Sequence, residues 1–103
     1  MKLMSFNEYK KWLLGKRGDM TVSPALRSGF WSSYFDAIKN IDKYFQDNKI
    51  IENSLNEISD LDDLENLRKV YFKDKKNIEL DVRGNGMYKA AFIYFLRFKN
   101  ETN

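Results

Sequence analysis

Residues 82–92, VRGNGMYKAAF, combine the residue types that bind a phosphate group. Two glycines precede an expected helix, and the first N–H groups of a helix lack partners and carry partial positive charge, so they can hold a phosphate oxygen. Arg83 and Lys89 supply cations that can neutralise the phosphate. The alternative is a glycine-rich turn that only allows the last helix to begin. Both interpretations place a turn at residues 84–86.

The spacing of this segment resembles the hairpin of helix-hairpin-helix DNA-binding motifs. In those motifs a G-x-G hairpin opens a helix that has a small residue four positions on, and here these residues are Gly84, Gly86 and Ala90. Asn85 occupies the position that is usually apolar and buried. The resemblance implies that the hairpin contacts DNA phosphates.

The patterns of catalytic and metal sites are missing from the sequence. It contains no cysteine and no histidine, which removes thiolate chemistry and the usual ligands of a structural zinc ion. Without histidine, a hydroxyl nucleophile would need a lysine or carboxylate base, and no segment has that pattern. Asp62 and Asp63 are adjacent in an expected helix and point in different directions. We therefore expect a non-enzymatic protein with no metal ion and no cofactor.

The composition is that of one globular domain. Of the 103 residues, 43% are hydrophobic and 16% aromatic, so we expect a core built from rings. Eighteen basic residues against fifteen acidic ones give a net charge of +3, which permits nucleic-acid binding without requiring it. No segment has a signal-peptide pattern or approaches the roughly 18 apolar residues of a membrane span. We therefore expect a cytoplasmic protein with no membrane contact.

Charge is unevenly distributed in the second half of the chain. An acidic block comes first and a basic block follows it: Glu57, Asp60, Asp62, Asp63 and Glu65, then Arg68, Lys69, Lys73, Lys75 and Lys76. A helix is stabilised by acidic residues in its first turn and basic residues in its last. The helix dipole therefore explains most of the acidic block, and a docking role for this block stays open.

The longest expected helix begins at Pro24, with Ser23 as its N-cap, and runs to Phe45. Apolar residues recur there every three or four positions and predict one stripe about six turns long. They are Leu26, Phe30, Trp31, Tyr34, Phe35, Ile38, Ile41 and Phe45. Other helices must cover so aromatic a stripe.

Shorter elements are expected on both sides of this helix. A capping box formed by Ser5 and Glu8 predicts a helix at about Phe6 to Leu14, and Ser59 or Asp60 opens the helix LDDLENLRKVYF. A short helical turn is expected within residues 50–58, a loop at residues 73–86, and a last helix from Gly86 or Met87 to about Phe98.

The predicted fold is all-α, a compact bundle of four main helices plus a short helical turn. It forms a single helical domain over residues 1–103, with frayed ends at residues 1–4 and 100–103.

The order of hydrophobic patterns along the chain resembles a known type of domain. The residues concerned are Phe6, Tyr9, Trp12 and Leu13; Ser32, Ser33 and Tyr34; Leu61, Leu64 and Leu67; and residues 84–98. Together they resemble the small all-helical N-terminal domain of bacterial restriction-endonuclease-type proteins, itself similar to the SAM-like core-binding domain of tyrosine recombinases. The resemblance implies an orthogonal, SAM-like arrangement of helices and a DNA-associated role, and it implies no catalytic residue.

Two functions are consistent with these observations. The first is a non-enzymatic DNA-associated binding module of a bacterial restriction, recombination or mobile-element system. Its candidate contacts are Lys10, Lys11, Lys16, Arg17, Arg27, Arg83, Gly84, Asn85, Gly86 and Lys89. The second is a stand-alone protein-interaction module, for example a phage-encoded inhibitor or adaptor that docks on a larger protein of a bacterial defence complex. The sequence specifies neither the partner nor the oligomeric state.

Overall fold

The computed structural model describes residues 6–102, and all regular structure in that range is helical. The α-helices are α1 (Asn7–Leu14), α2 (Pro24–Arg27), α3 (Trp31–Asp47), α4 (Leu61–Tyr71), α5 (Lys75–Arg83) and α6 (Met87–Thr102), with one 3₁₀ turn (Leu55–Glu57) between α3 and α4. The predicted all-α bundle is confirmed, as is the short helical turn within residues 50–58. Asn103 and residues 1–5, which include Ser5 of the capping box and the end predicted to fray, lie outside the described residues.

The core is built from aromatic rings, and α3 and α6 form its centre. The ring of Phe95 packs edge-on against Tyr9 with centres 5.3 Å apart, and Tyr34 packs edge-on against Tyr94 at 5.4 Å. Such pairs add about 0.5–1.5 kcal/mol each to the gain from burial. The Tyr9 hydroxyl also donates a hydrogen bond of 2.9 Å to the carbonyl oxygen of Ala91, which ties α1 to α6.

Two predicted helix starts are confirmed by their caps. The Ser23 hydroxyl oxygen accepts the N–H of Leu26 at 3.3 Å, and the Asp60 carboxylate accepts the N–H of Asp62 at 2.8 Å. The Ser23 N–H also donates to the Tyr94 hydroxyl at 2.8 Å, so α6 holds the start of α2 in place. A side-chain oxygen at this position stabilises a helix by about 1 kcal/mol.

The predicted continuous helix from Pro24 to Phe45 is wrong, because it divides into α2 and α3. Gly29 adopts the left-handed backbone, with φ +96°, and the Phe30 N–H turns back to the carbonyl oxygen of Ala25 at 3.1 Å. This pattern of hydrogen bonds ends a helix, and glycine adopts it without the cost that a Cβ imposes. As a result Phe30, which we expected in the buried stripe, is 66% exposed.

The predicted loop at residues 73–86 is also wrong, because α5 occupies most of it. The Asp74 carboxylate caps this helix by accepting the N–H of Lys76 at 2.9 Å, and the buried Asn77 side chain donates to the carbonyl oxygen of Tyr71 at 2.9 Å. Ile78, Leu80 and Val82 alternate along the sequence, and this pattern did not indicate a helix with a buried apolar side, because Ile78 and Val82 face solvent in α5.

The last helix is longer than predicted. Fraying was expected at residues 100–103, but α6 continues to Thr102. The Glu101 carboxylate accepts the indole N–H of Trp12 at 2.7 Å and the Nε–H of Arg97 at 2.9 Å, which fixes the last turn against α1.

Candidate nucleic-acid interface

The glycine-rich turn predicted to bind phosphate joins α5 to α6, so it connects two helices as a helix-hairpin-helix motif does. The Gly86 N–H donates to the carbonyl oxygen of Asp81 at 2.8 Å and the Asn85 N–H to that of Val82 at 3.1 Å, which closes the end of α5. Asn85 has φ +57° and Gly86 has φ +80°. Asparagine tolerates this left-handed backbone better than an apolar residue does, which explains Asn85 at a position that is usually apolar.

A carboxylate already lies at the start of α6. An Asp81 side-chain oxygen accepts the N–H of Lys89 at 2.9 Å, so the chain provides its own anion at the positive end of this helix. The Arg83 and Lys89 side chains are exposed, and neither forms an ion pair within residues 6–102. The Met87 N–H also donates to the carbonyl oxygen of Gly84 at 3.1 Å, so three of the four N–H groups of residues 86–89 already have acceptors. Residues 83–89 thus offer two cations but little of the N–H cradle that the sequence suggested.

Three other predicted DNA contacts have hydrogen-bond or ion-pair partners within the protein. The Lys16 ammonium lies 3.7 Å from the carboxylates of both Asp19 and Glu101, and its side chain is only 16% exposed. Arg27 donates to the carbonyl oxygen of Val22 at 3.0 Å. Lys11 pairs with Glu8 at 3.7 Å on the surface, where such a pair contributes little.

The ion pairs of Lys16 belong to a cluster that fastens the segment after α1 to the end of α6. Hydrogen bonds from the hydroxyl and N–H of Thr21 lower the pKa of Asp19. Hydrogen bonds from the Trp12 indole and then from Arg97 lower the pKa of Glu101. The cluster is structural, and it removes Lys16 from the candidate DNA contacts.

Two further candidates lie against α3 and the turn before it: Lys10 lies over the Trp31 ring, and Arg17 lies beside Gly29. We use the name ring face for the surface formed by Lys10, Arg17, Phe30, Trp31, Phe35 and Lys39. Trp31, Phe35 and Lys39 are four residues apart on α3 and therefore share one side of the helix. The Lys39 ammonium lies 4.9 Å from the centre of the Phe35 ring, and that ring meets the Trp31 ring edge-on at 5.8 Å.

Two more cations lie near the start of α3. The Lys10 ammonium lies 5.0 Å from the centre of the Trp31 ring. The guanidinium of Arg17 lies 3.6 Å from where a Cβ of Gly29 would be, next to Phe30. Among the aromatic residues that the structure describes, only Phe30 has most of its surface open to solvent. The ring face therefore combines one exposed ring, Phe30, with cations that lie against its chain neighbours Gly29 and Trp31.

The cations of the ring face are free to meet an anion. Lys10, Arg17 and Lys39 form no ion pair with any of residues 6–102. A cation–π contact at an exposed site is worth only about 0.5–1 kcal/mol, so a phosphate can draw a lysine away from its ring. No sequence pattern predicts the contact between Lys10 and Trp31, because these residues lie on different helices.

The predicted contacts do not form one cluster. Lys16 lies beside Glu101, near the end of α6, whereas Lys89 lies in its first turn. Twelve residues of α-helix separate Glu101 from Lys89, which is about 18 Å. Lys16 and the α5–α6 hairpin therefore cannot contact the same phosphate, and we treat the ring face, built on α1 and α3, and the hairpin as two candidate sites.

No protein-family model, curated protein or solved structure matches this chain. Within residues 6–102, no three or more acidic side chains are grouped to hold a metal ion. None of the helices in that range has the length and apolar character to cross a membrane. The resemblances to restriction-endonuclease N-terminal domains and to helix-hairpin-helix motifs stay predictions that rest on the residues quoted for them.

Proposed function

We propose that this protein is a non-enzymatic DNA-binding module whose contact surface is the ring face. One observation carries the proposal: the exposed Phe30 is the chain neighbour of Gly29 and Trp31, and three cations with no carboxylate partner in residues 6–102 lie against Gly29, Trp31 and Phe35. Cations neutralise phosphates, and aromatic rings stack on bases. The cytoplasmic location and the link to restriction, recombination or mobile elements, which come from the sequence, are part of the same proposal.

Single-stranded DNA fits the ring face better than a duplex does. The bases of a duplex are stacked on one another, whereas the bases of a single strand can stack on a side chain. Stacking of one base on an aromatic residue is worth about 1–3 kcal/mol, which is comparable to the contribution of several surface charges. We therefore expect the exposed Phe30 ring to contribute most of the affinity and Lys10, Arg17 and Lys39 most of its salt dependence.

The test is a titration of a fluorescently labelled oligothymidine, followed by anisotropy at about 50 mM and about 200 mM salt. Three neutralised phosphates predict that log K falls with log salt concentration with a slope of about −2. Phe30→Ala is expected to weaken binding by about tenfold or more. Ile93→Ala changes an apolar residue on α6 that is also exposed, and it should leave binding unchanged. Absence of binding at the lower salt concentration, or equal binding by both variants, contradicts the proposal.

The alternative is the protein-interaction module, such as an inhibitor or adaptor that docks on a defence complex. The exposure of Phe30, 66%, favours this function too, because ring side chains anchor protein interfaces. Purification from the native cell with and without nuclease separates the two functions. A partner protein that stays bound after nuclease treatment, and is lost from Phe30→Ala, supports the alternative.

A further inference from the structure

An apolar groove runs along the outer side of α4, away from the ring face. Its lining residues are Ile51, Ile58, Asp63, Asn66, Leu67 and Val70. The last four follow the helical pattern i, i+3, i+4 and i+7 and therefore form one stripe of α4. From Asp63 to Val70 this stripe is seven residues, or about 10 Å, long. Val70 is 38% exposed although it has an apolar side chain.

The wall of the groove opposite α4 is held in place by buried polar contacts. Asp42 accepts the Leu55 N–H at 2.8 Å and the Ser54 hydroxyl at 3.0 Å, which fixes the 3₁₀ turn to α3. The Lys99 ammonium donates to the carbonyl oxygen of Asn56 at 2.6 Å, which fixes the same turn to α6. The groove is therefore formed before anything binds, so little conformational entropy of the groove is lost on binding.

Acidic side chains lie in and beside this groove, and one cation, Lys49, lies in the next depression beyond Ile51 and Glu52. Asp63 lies in its lining, and Glu52 and Glu57 line the depression that adjoins it at Ile51 and Ile58. No lysine or arginine is among the residues that line these two surfaces. A partner that fits must be apolar along one stripe and positive beside it.

The outer side of α5 combines exposed apolar residues with positive charge. Ile78 is 43% exposed and Val82 is 69% exposed, and they lie four residues apart on one side of the helix. Lys75, Lys76 and Arg83 are exposed on the same outer half of α5 together with one acidic residue, Glu79, so this half carries a net positive charge. Lysines in a first turn oppose the helix dipole, so the stability of α5 does not explain Lys75 and Lys76. At nine residues, about 13 Å, α5 matches the length of the groove.

We propose that two copies of this protein form a dimer in which α5 of each copy lies in the α4 groove of the other. The groove and α5 are neighbours in one molecule, because only residues 72–74 separate α4 from α5. One two-fold axis therefore allows both contacts at once, and the interface is closed. Two contacts are needed, since one short helix buries less than the roughly 1,200 Å² of a stable interface.

The proposal is tested by sedimentation velocity over a range of protein from micromolar to millimolar. The wild-type protein should pass from monomer to dimer within this range. Val82→Glu places a negative charge against the acidic groove, Val70→Lys places a positive charge against the lysines of α5, and each should leave a monomer. Ile93→Lys changes an exposed apolar residue on α6 and should dimerise as the wild type does.

Charge is tested by the double variant Lys75→Glu, Lys76→Glu. Glutamates in the first turn agree with the dipole of α5, so this change favours folding of the helix while it repels the acidic groove. We expect it to shift dimerisation to at least tenfold higher concentration, and we expect added salt to weaken the wild-type dimer. A wild-type monomer at millimolar concentration, or a Val82→Glu protein that still dimerises, overturns the proposal. Neither result bears on DNA binding at the ring face, which uses other residues.

Discussion

The ring face and the α5–α6 hairpin both carry cations, but they differ in how far contacts within the protein account for their polar and aromatic groups. In the hairpin, Asp81 bonds to the N–H of Lys89, and a left-handed Asn85 closes α5, so folding alone explains the turn. In the ring face, Lys10 and Lys39 lie on aromatic rings, and the ring of Phe30 is open to solvent. A feature that folding explains is weak evidence for a ligand site. The comparison therefore favours the ring face as the DNA contact.

Charge reversal in each region gives the largest expected difference. Lys10→Glu with Arg17→Glu removes two phosphate contacts and adds two repulsive charges, and we expect DNA affinity to fall more than tenfold. Arg83→Glu with Lys89→Glu makes the same change of charge in the hairpin and should alter affinity by less than about threefold, through long-range electrostatics alone. Anisotropy titrations under one salt condition measure both. A larger effect from the hairpin pair would reverse the comparison.

Gly29→Ala tests how the ring face is built. The φ of +96° at Gly29 is costly for any residue with a Cβ, and we expect the substitution to lower the free energy of unfolding by about 1–2 kcal/mol. A Cβ there would meet no atom closer than 3.6 Å, so the cost comes from the backbone and not from a clash. Gly15→Ala is the matched control, because Gly15 has φ −72° and should gain about 0.5 kcal/mol. Urea unfolding followed by circular dichroism measures both changes, and equal stabilities would contradict this explanation.

Asp81→Ala tests the internal anion of the hairpin. Loss of the oxygen that accepts the Lys89 N–H should cost about 1 kcal/mol of stability, as the loss of a helix cap does. DNA affinity should stay within about twofold of the wild type, because the ring face is unchanged. A clear rise in affinity would mean that Asp81 had been blocking a phosphate site at the start of α6.

Alkaline titration tests the core that supports both regions. Burial raises the pKa of Tyr9 and of Tyr71 above the usual value of 10.0. Their contribution to stability is therefore complete below about pH 10 and is lost as the pH rises toward their higher folded values. Tyr9→Phe should lose about 1 kcal/mol at neutral pH with its bond to Ala91, and its stability should fall less steeply at high pH. Thermal unfolding between about pH 7 and about pH 11 shows the difference, and parallel curves would contradict it.

Local signals in the sequence predicted the all-α fold and several helix starts, because Ser23 and Asp60 cap the turns that directly follow them. Where two local signals favoured different structures, the sequence did not decide between them. The apolar period across residues 26–31 predicted a continuous helix, while Gly29 ended it. The helix α5 depends in part on Asn77, whose partner is a carbonyl oxygen on α4.

The candidate sites depended even more on long-range contacts. Lys16 looked free in sequence, but its partner Glu101 is 85 residues away. Asp81 and Lys89 meet only because the turn between α5 and α6 folds back. The ring of Phe30 was assigned to the core because its spacing fits the apolar stripe, and only the division of the helix brings it to the surface.

The most direct test of DNA binding at the ring face is the ¹H–¹⁵N spectrum of the wild-type protein during titration with oligothymidine. We predict that the amide signals of residues 30–39, together with those of Lys10 and Arg17 and the indole signal of Trp31, shift in a saturable way. The signals of residues 83–89 should stay nearly fixed. Saturable shifts confined to residues 83–89, or no shifts at all, would contradict the assignment of the ring face as the DNA contact.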